Sequence, residues 1–356
     1  MSAPIRFGIV GTGWRSLFYL RIAKALPKRF EVCGLVSRTQ ARADEMEREW
    51  GVKGYTSLDE FLSKARPGFV VASVPWNVNP GLLLTLAQNK VPALSETPPA
   101  PDLPSLISLN EDVAKAGGKI QVAEEYHRRP FHAAQIDLAA SGILGKISHA
   151  QISIGHGYHG ISLIRRFLGI GYEPAVITGK SFKSMIVEAP GRKGEGGGEK
   201  TKESIQEITF FDFGDRAGVL DFSNDQYFSL IRNGRVLVRG ERGEIINDEV
   251  VYLKDPATPI RNRLTRHDGD LLVGLYLNGI QSGDNWLYRN PFTPASLTDD
   301  EIAIADCLAR MDEYVRTGKE FYPLAEGSQD HYLYLSSMQA IRNSEVVKTE
   351  RQPWAR

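Results

Sequence analysis

An apolar run at Ile5–Val10 stops on Gly11-Thr12-Gly13, and a helix-like stretch, Arg15–Leu26, starts almost at once. No other feature of the 356 residues constrains the fold as much. A buried strand that turns directly into a helix is the first half of a βαβ crossover, and the crossover needs a parallel neighbour to return to. The pattern then repeats. Apolar runs at Val32–Val36, Phe69–Val74, Val91–Leu94 and Ile120–Ala123 alternate with helix-like stretches at Gln40–Trp50, Pro80–Asn89 and Leu103–Ala116. Strands alternating with helices predict an α/β domain of the Rossmann type, with a doubly wound parallel sheet, over residues 1–123.

Beyond residue 123 the rhythm changes. A helix (Phe131–Ser141), a strand (Ile147–Ile154) and a second helix (Gly160–Leu168) come first. Strand-like runs follow at Ala175–Met185, Ser204–Phe213, Ala217–Phe222, Tyr227–Arg239, Gly243–Asn247 and Val250–Leu253. Successive strands without helices between them predict a large, mainly antiparallel open sheet in a second α/β domain, residues 124–356. Helices are expected again at Asp270–Gln281, Thr298–Thr317 and Ser328–Asn343, and Thr298 with Glu301 reads as a capping box. Pro190–Lys200 holds five glycines and no apolar side chain, and reads as a long mobile connection between strands. An open sheet of this extent leaves a face to cover, so a homodimer or homotetramer is expected.

The turn at Gly11–Gly13 is also a chemical signal. Gly11 allows a tight turn, Gly13 lets a pyrophosphate approach the backbone, and the helix start faces that negative charge. Gly11, Thr12, Gly13, Trp14 and Arg15 are therefore expected to cradle a dinucleotide. Ser16 stands where the third glycine of such turns usually lies. At the end of the second strand an acid would select NAD by binding the ribose hydroxyls. This chain has Ser37 and Arg38 there, and Arg38 can pair with a 2′-phosphate, so the reading leans to NADP over NAD. Lys plus Arg (43) equals Asp plus Glu (43), which gives nucleic acid no basic footprint. Two cysteines in unrelated contexts fit a reducing, cytoplasmic compartment, and no signal peptide or membrane span is expected.

Four stretches then line up: FGIVGTG, VVASVPWNVNPGLLLTLAQNKVPALSETPPA, GILGKISHAQIS and GYHGISLIRRFLG. In this order the chain resembles the Gfo/Idh/MocA oxidoreductases, relatives of glucose-fructose oxidoreductase and inositol dehydrogenase. The resemblance implies an enzyme that oxidises or reduces a hydroxyl of a sugar, cyclitol or related polyol with NAD or NADP. It also implies that Pro75, Trp76, Asn77, Glu96, Thr97 and Glu125 border the cofactor. The family's Glu-Lys-Pro stands here as Glu96-Thr97-Pro98, so its proton-shuttling lysine is a threonine. The family's Asp-x-Gly-x-His stands as Gly155-His156-Gly157-Tyr158-His159, which keeps the histidine and loses the aspartate. Where relatives have an asparagine and arginine before a proline, this chain has Glu125, Tyr126 and His127, with Pro130 matching.

Threonine cannot serve as a general base near neutral pH, whereas histidine can. His159, at the N-cap of a helix starting at Gly160, is therefore the expected base, with Tyr126 and His127 as partners. His156 and Asn224 are candidates for binding substrate hydroxyls, and Asn224 also suits ordinary turn chemistry. No metal site is expected, because no acid or cysteine lies at a telling offset from His156 and His159. The altered motifs leave two alternatives open. One is a sugar-modifying reaction without net redox, such as elimination, epimerisation or glycoside cleavage. The other is an inactive protein that senses dinucleotide or sugar.

Overall fold

The computed structural model describes residues 3–191 and 199–355. The first domain contains β1 (Ile5–Val10), α1 (Ser16–Ala25), β2 (Phe30–Val36), α2 (Gln40–Trp50), β3 (Gly54–Tyr55), α3 (Leu58–Ala65), β4 (Phe69–Ala72), α4 (Asn79–Gln88), β5 (Ala93–Ser95), α5 (Leu103–Ala116) and β6 (Ile120–Val122). Its six strands run parallel in the order β3-β2-β1-β4-β5-β6. The order reverses beside β1, and the crevice at such a reversal lies at the carboxyl ends of the strands. Phe7, Ile9, Leu35, Phe69, Val71 and Leu94 are buried in the core between sheet and helices. The near-continuous apolar runs of the sequence are those of strands covered on both faces.

The second domain follows with a 3₁₀ turn at Tyr126–Arg128, α6 (Pro130–Ala140), β7 (Ile147–Ser153) and α7 (Gly157–Leu168). Then come β8 (Val176–Val187), β9 (Thr201–Asp212), β10 (Ala217–Phe222), β11 (Arg235–Gly240), β12 (Gly243–Ile246), β13 (Glu249–Asp255), β14 (Thr258–Leu271), β15 (Gly274–Ser282) and β16 (Asn285–Arg289). The chain closes with α8 (Asp299–Thr317), α9 (Leu324–Asn343) and β17 (Val347–Lys348). Eleven strands form one sheet in the order β16-β15-β14-β13-β12-β11-β7-β10-β9-β8-β17, antiparallel except for β7 with β10. The helices α7 and α9 pack on one face, where Ile152, Leu220, Ile177 and Phe211 are buried. The opposite face of β8 and β9 leaves Phe182, Ile208 and Phe210 exposed.

Two sequence expectations differ from this architecture. Asp270–Gln281 is not a helix but the end of β14 and most of β15. Its leucines mimic a helical stripe, yet Leu271, Leu272, Val273 and Leu275 sit exposed at the hairpin tip and have no core to face. Tyr227–Arg239 is not one strand. A capping box between Ser223 and Gln226 coils Asn224–Tyr227 into a 3₁₀ turn, and the strand starts only at Arg235. The expected mobile stretch, Pro190–Lys200, lies largely outside the described residues. The capping box at Thr298 and Glu301 is present as expected, with Thr298 accepting from the Glu301 amide at 3.2 Å.

Candidate active site

The glycine turn has the shape a pyrophosphate requires. Gly11 has φ +116°, and a Cβ there would lie 1.9 Å from the Ser73 carbonyl oxygen, so only glycine fits. A Cβ on Gly13 would meet nothing within 4 Å, which leaves open space over the turn. No side chain caps the start of α1. Ser16 fastens the turn from below through the Gly11 carbonyl and the Ser73 hydroxyl, both at 3.1 Å. An uncapped helix start behind an open glycine turn fits an anionic diphosphate. At the far end of the cradle Ser37 is buried and Arg38 exposed. Arg42, which the sequence reading passed over, reaches back to the Thr12 carbonyl at 3.2 Å.

Arg15 does not point into solvent. Its guanidinium lies 2.9 Å from Glu125, 3.6 Å from Glu96 and 3.9 Å from Asp300 of α8. Glu96 also accepts from the fully buried Tyr19 hydroxyl at 2.5 Å. The glutamate that ends β5 thus ties that strand to α1, and burial pushes its carboxyl up to about 7 against the pull of Arg15. Burial works against ionisation of Glu125 too, but Arg15, His159 and Arg129 outweigh it and hold that carboxyl at about 2. Thr97 presents its carbonyl to the Tyr158 hydroxyl at 3.4 Å. Pro75, Trp76 and Asn77 line the loop after β4, where Trp76 packs edge-on against Tyr158 and His331.

The centre of the site is His159. Its Nδ1 lies 2.7 Å from Glu124, and both side chains are buried. The other carboxylate oxygen of Glu124 accepts from the Tyr126 amide at 3.1 Å and the Ser162 hydroxyl at 3.2 Å. Burial and the neighbouring Glu125 push Glu124 well above the carboxylate range, and burial pulls His159 down to about 4. The two lie close enough to titrate as one unit across Oε2 and Nδ1, with Nε2 as the other ring nitrogen. His159 is not the N-cap of its helix. α7 starts at Gly157, His156 is the N-cap, and His159 lies within the first turn. The neutrality expected of the imidazole comes mainly from burial rather than from the cap position.

Tyr126 stacks on His159 with ring centroids 4.2 Å apart and planes at 24°. The Arg129 guanidinium sits 3.7 Å from the same phenol centroid, so the ring is held between imidazole and guanidinium. A Cβ on Gly155 would lie 2.8 Å from Tyr126 Cε1 and 3.1 Å from the Cβ of His159. Tyr126 thus occupies the space a side chain at position 155 would need. A side chain at position 155 and the phenol of Tyr126 therefore exclude one another.

His127 is not brought to this group. It stacks on Tyr322 at 5.0 Å, and its buried Nδ1 has no hydrogen-bond partner. Neighbours in a 3₁₀ turn project about 120° apart, so Tyr126 facing His159 turns His127 away. Asn224 is exposed, and the contact from its turn is made instead by Tyr227. The Tyr227 hydroxyl is 3.3 Å from that of Tyr126 and 2.5 Å from Nδ1 of His156. The sequence signal for this was the Ser223-x-x-Gln226 capping box, which makes a turn where a strand was read.

Glu124, Glu125 and His159 bring ligand-type atoms within 4.8 Å of one another, a grouping not visible from spacing. Two guanidiniums, Arg15 at 2.9 Å and Arg129 at 4.0 Å, already neutralise Glu125. This field favours moving a proton over holding a cation.

Comparison with known proteins agrees with the fold. Residues 5–124 match the family described as oxidoreductase family, NAD-binding Rossmann fold. An oxidoreductase of Schizosaccharomyces pombe is 38% identical over 80 residues, 22% of this chain and 22% of that protein's own length. The crystallised levoglucosan dehydrogenase, in complex with NADH and levoglucosan, superposes with a TM-score of 0.71 at 15% identity, covering 97% of this chain and 99% of that one. An oxidoreductase of Agrobacterium radiobacter, in complex with NAD+, L-tartaric acid and magnesium, gives 0.69 at 14% identity, covering 97% and 98%. The two-domain architecture is thus shared over nearly the whole length. Residues 5–124 are thus similar to the NAD-binding Rossmann domain of that oxidoreductase family, and the chain spans less than a third of the length of the curated relatives it matches.

Proposed function

We propose that this protein is an NAD(P)-dependent oxidoreductase acting on a hydroxyl of a sugar, cyclitol or related polyol, with the His159–Glu124 pair as its proton acceptor. The observation that carries the proposal is the 2.7 Å contact between these two buried side chains, just beyond the carboxyl end of β6. The nicotinamide, when bound, supplies the hydride acceptor or donor. Gly11 to Arg15 would hold the diphosphate, with Ser37 and Arg38 at the adenosine ribose. Glu96 and Glu125 fix Arg15 behind the cradle.

The chemistry left to the chain is the hydroxyl proton. His159 Nε2 takes it, and the charge that appears on the ring is met by Glu124 at Nδ1. Tyr126 walls the imidazole on one face and keeps water from it. Thr97 holds no proton in this scheme. The absence of an acid at the end of β2, with Arg38 and Arg42 nearby, favours NADP over NAD. The exposed apolar face of β8 and β9 favours a homo-oligomer built on that sheet.

Replacement of the usual lysine and aspartate by Thr97 and Gly155 favours a second reading. In it the hydride is returned after elimination or epimerisation, and no net redox results. One experiment separates the readings: incubation with NAD or NADP and a panel of sugars and cyclitols, following nicotinamide absorbance and products together. Net absorbance change supports the first reading, product without it supports the second, and cofactor binding with neither refutes both.

A further inference from the structure

The turn between β10 and β11 supplies a side chain whose role the proton relay does not use. Tyr227 reaches across to α7, where its hydroxyl meets Nδ1 of His156 at 2.5 Å and the backbone N–H of His156 at 3.1 Å. It also meets the Tyr126 hydroxyl at 3.3 Å. A phenol has one proton and two lone pairs. The backbone N–H occupies one lone pair and the Tyr126 hydroxyl the other, so the Tyr227 proton is left for Nδ1. Acid–base strength points the same way. A phenol is the better donor and a neutral imidazole nitrogen the better acceptor, and this pair has the shortest contact in the group. His156 is then neutral, accepts at Nδ1, and carries its own proton on Nε2. Its ring stands 5.0 Å from that of His159, with the planes at 88°.

We infer that Tyr227 is a positioning residue that fixes His156 as a neutral Nε2–H donor for a substrate hydroxyl oxygen beside His159. This rests on the polyol reading above for the identity of the acceptor, but the Tyr227–His156 arrangement stands without it. The two histidines divide the work. Glu124 engages Nδ1 of His159 and gives that ring its proton-accepting role, whereas a phenol engages Nδ1 of His156 and denies it one. The charged surroundings agree: burial, His159 and Arg15 hold His156 neutral against the pull of Glu125, with its pKa at about 3. Tyr158 packs edge-on against its ring at 5.1 Å, and Tyr126 reaches it only through the Tyr227 hydroxyl. A neutral donor suits a polyol, because it orients an oxygen without drawing in anions or competing for the proton His159 must take.

The test uses the full-length protein labelled with ¹⁵N-histidine, without ligand, at about pH 7. His156 is assigned by the resonance lost in His156→Gln. The expected result is an unprotonated, hydrogen-bonded Nδ1 and a protonated Nε2, with Nδ1 moving to the position of a free acceptor in Tyr227→Phe. A protonated Nδ1 in the parent protein, or an unmoved Nδ1 in Tyr227→Phe, overturns the inference. With a polyol that turns over, Tyr227→Phe should raise KM about three- to tenfold, the net worth of one hydrogen bond, and lower kcat less than that. An unchanged KM overturns the donor role even if the resonance moves. If no sugar turns over, the oxidoreductase reading fails, and the nitrogen resonances still decide the role of Tyr227.

Discussion

Glu124→Gln is the substitution that most directly probes the proton acceptor. Glutamine keeps the Oε1 acceptor that the Tyr126 amide and the Ser162 hydroxyl use, so the local fold is retained. What is lost is the carboxylate charge 2.7 Å from Nδ1 of His159, and the amide nitrogen put in its place donates to Nδ1, so the neutral ring carries its proton on Nε2. A hydrogen bond to a charged group is worth about 1.5–3 kcal/mol. That amount separates the protonated and unprotonated rings, so it corresponds to roughly 1–2 pKa units. In the parent protein the pair takes up its shared proton at the raised value of Glu124. Without the carboxylate His159 titrates alone, drawn by burial towards its value of about 4. Oxidation needs the unprotonated pair, so the parent rate rises with pH through the raised pKa. In the variant that limb moves to lower pH. At high pH kcat/KM for oxidation should fall by at least about 10- to 150-fold, the 1.5–3 kcal/mol lost from the transition state plus the cost of the wrong tautomer. Initial rates followed by nicotinamide absorbance across the accessible pH range give both quantities. A limb that stays in place, or a rate at high pH within about twofold of the parent, refutes the pair as the proton acceptor.

Further outcomes follow from the same geometry. His159→Ala should lower turnover by about 10²–10⁴ while Thr97→Ala costs far less, because only the first removes a general base; steady-state kinetics on both decide it. Gly13→Val should abolish dinucleotide binding, read by calorimetry, because its side chain fills the space over the turn. Arg38→Ala should weaken NADP more than NAD, and equal losses would remove the case for NADP. Gly155→Ala should destabilise the fold by about 1–3 kcal/mol in urea, because its Cβ overlaps Tyr126. Phe210→Glu on the exposed face of β9 should reduce the mass in light scattering to one chain, and an unchanged mass would place the interface elsewhere.

The first domain was legible because strands buried on both faces leave unbroken apolar runs, and because Gly11 has no substitute in its turn. The hairpin tip at Leu271–Leu275 was misread for the opposite reason: periodicity reports a stripe whether or not anything covers it. His159 and Tyr126 could be named from the sequence, but their stacking could not, since it depends on how a 3₁₀ turn and a helix from different segments meet. Glu124 stands near two arginines in the chain, Arg128 and Arg129, and nothing in its spacing sets it apart. Its burial against His159 is a tertiary fact, as is the pairing of Arg128 with Asp306 and of Arg129 with Asp300. His127 was indistinguishable from Tyr126 until the turn separated their directions.

The overlap between Tyr126 and position 155 also limits which sequences can be reached from this one. A chain with an acid at 155 needs a smaller or displaced residue at 126, so at least two substitutions separate the arrangements. Placing the acid first drives its Cβ into the phenol ring. Shrinking Tyr126 first empties the face of His159 and removes the group stacked under Arg129. Either order passes through an intermediate that is strained or hollow at His159. Random mutagenesis of single positions would therefore not restore the aspartate arrangement, and a library that varies 126 and 155 together is the shortest route to it.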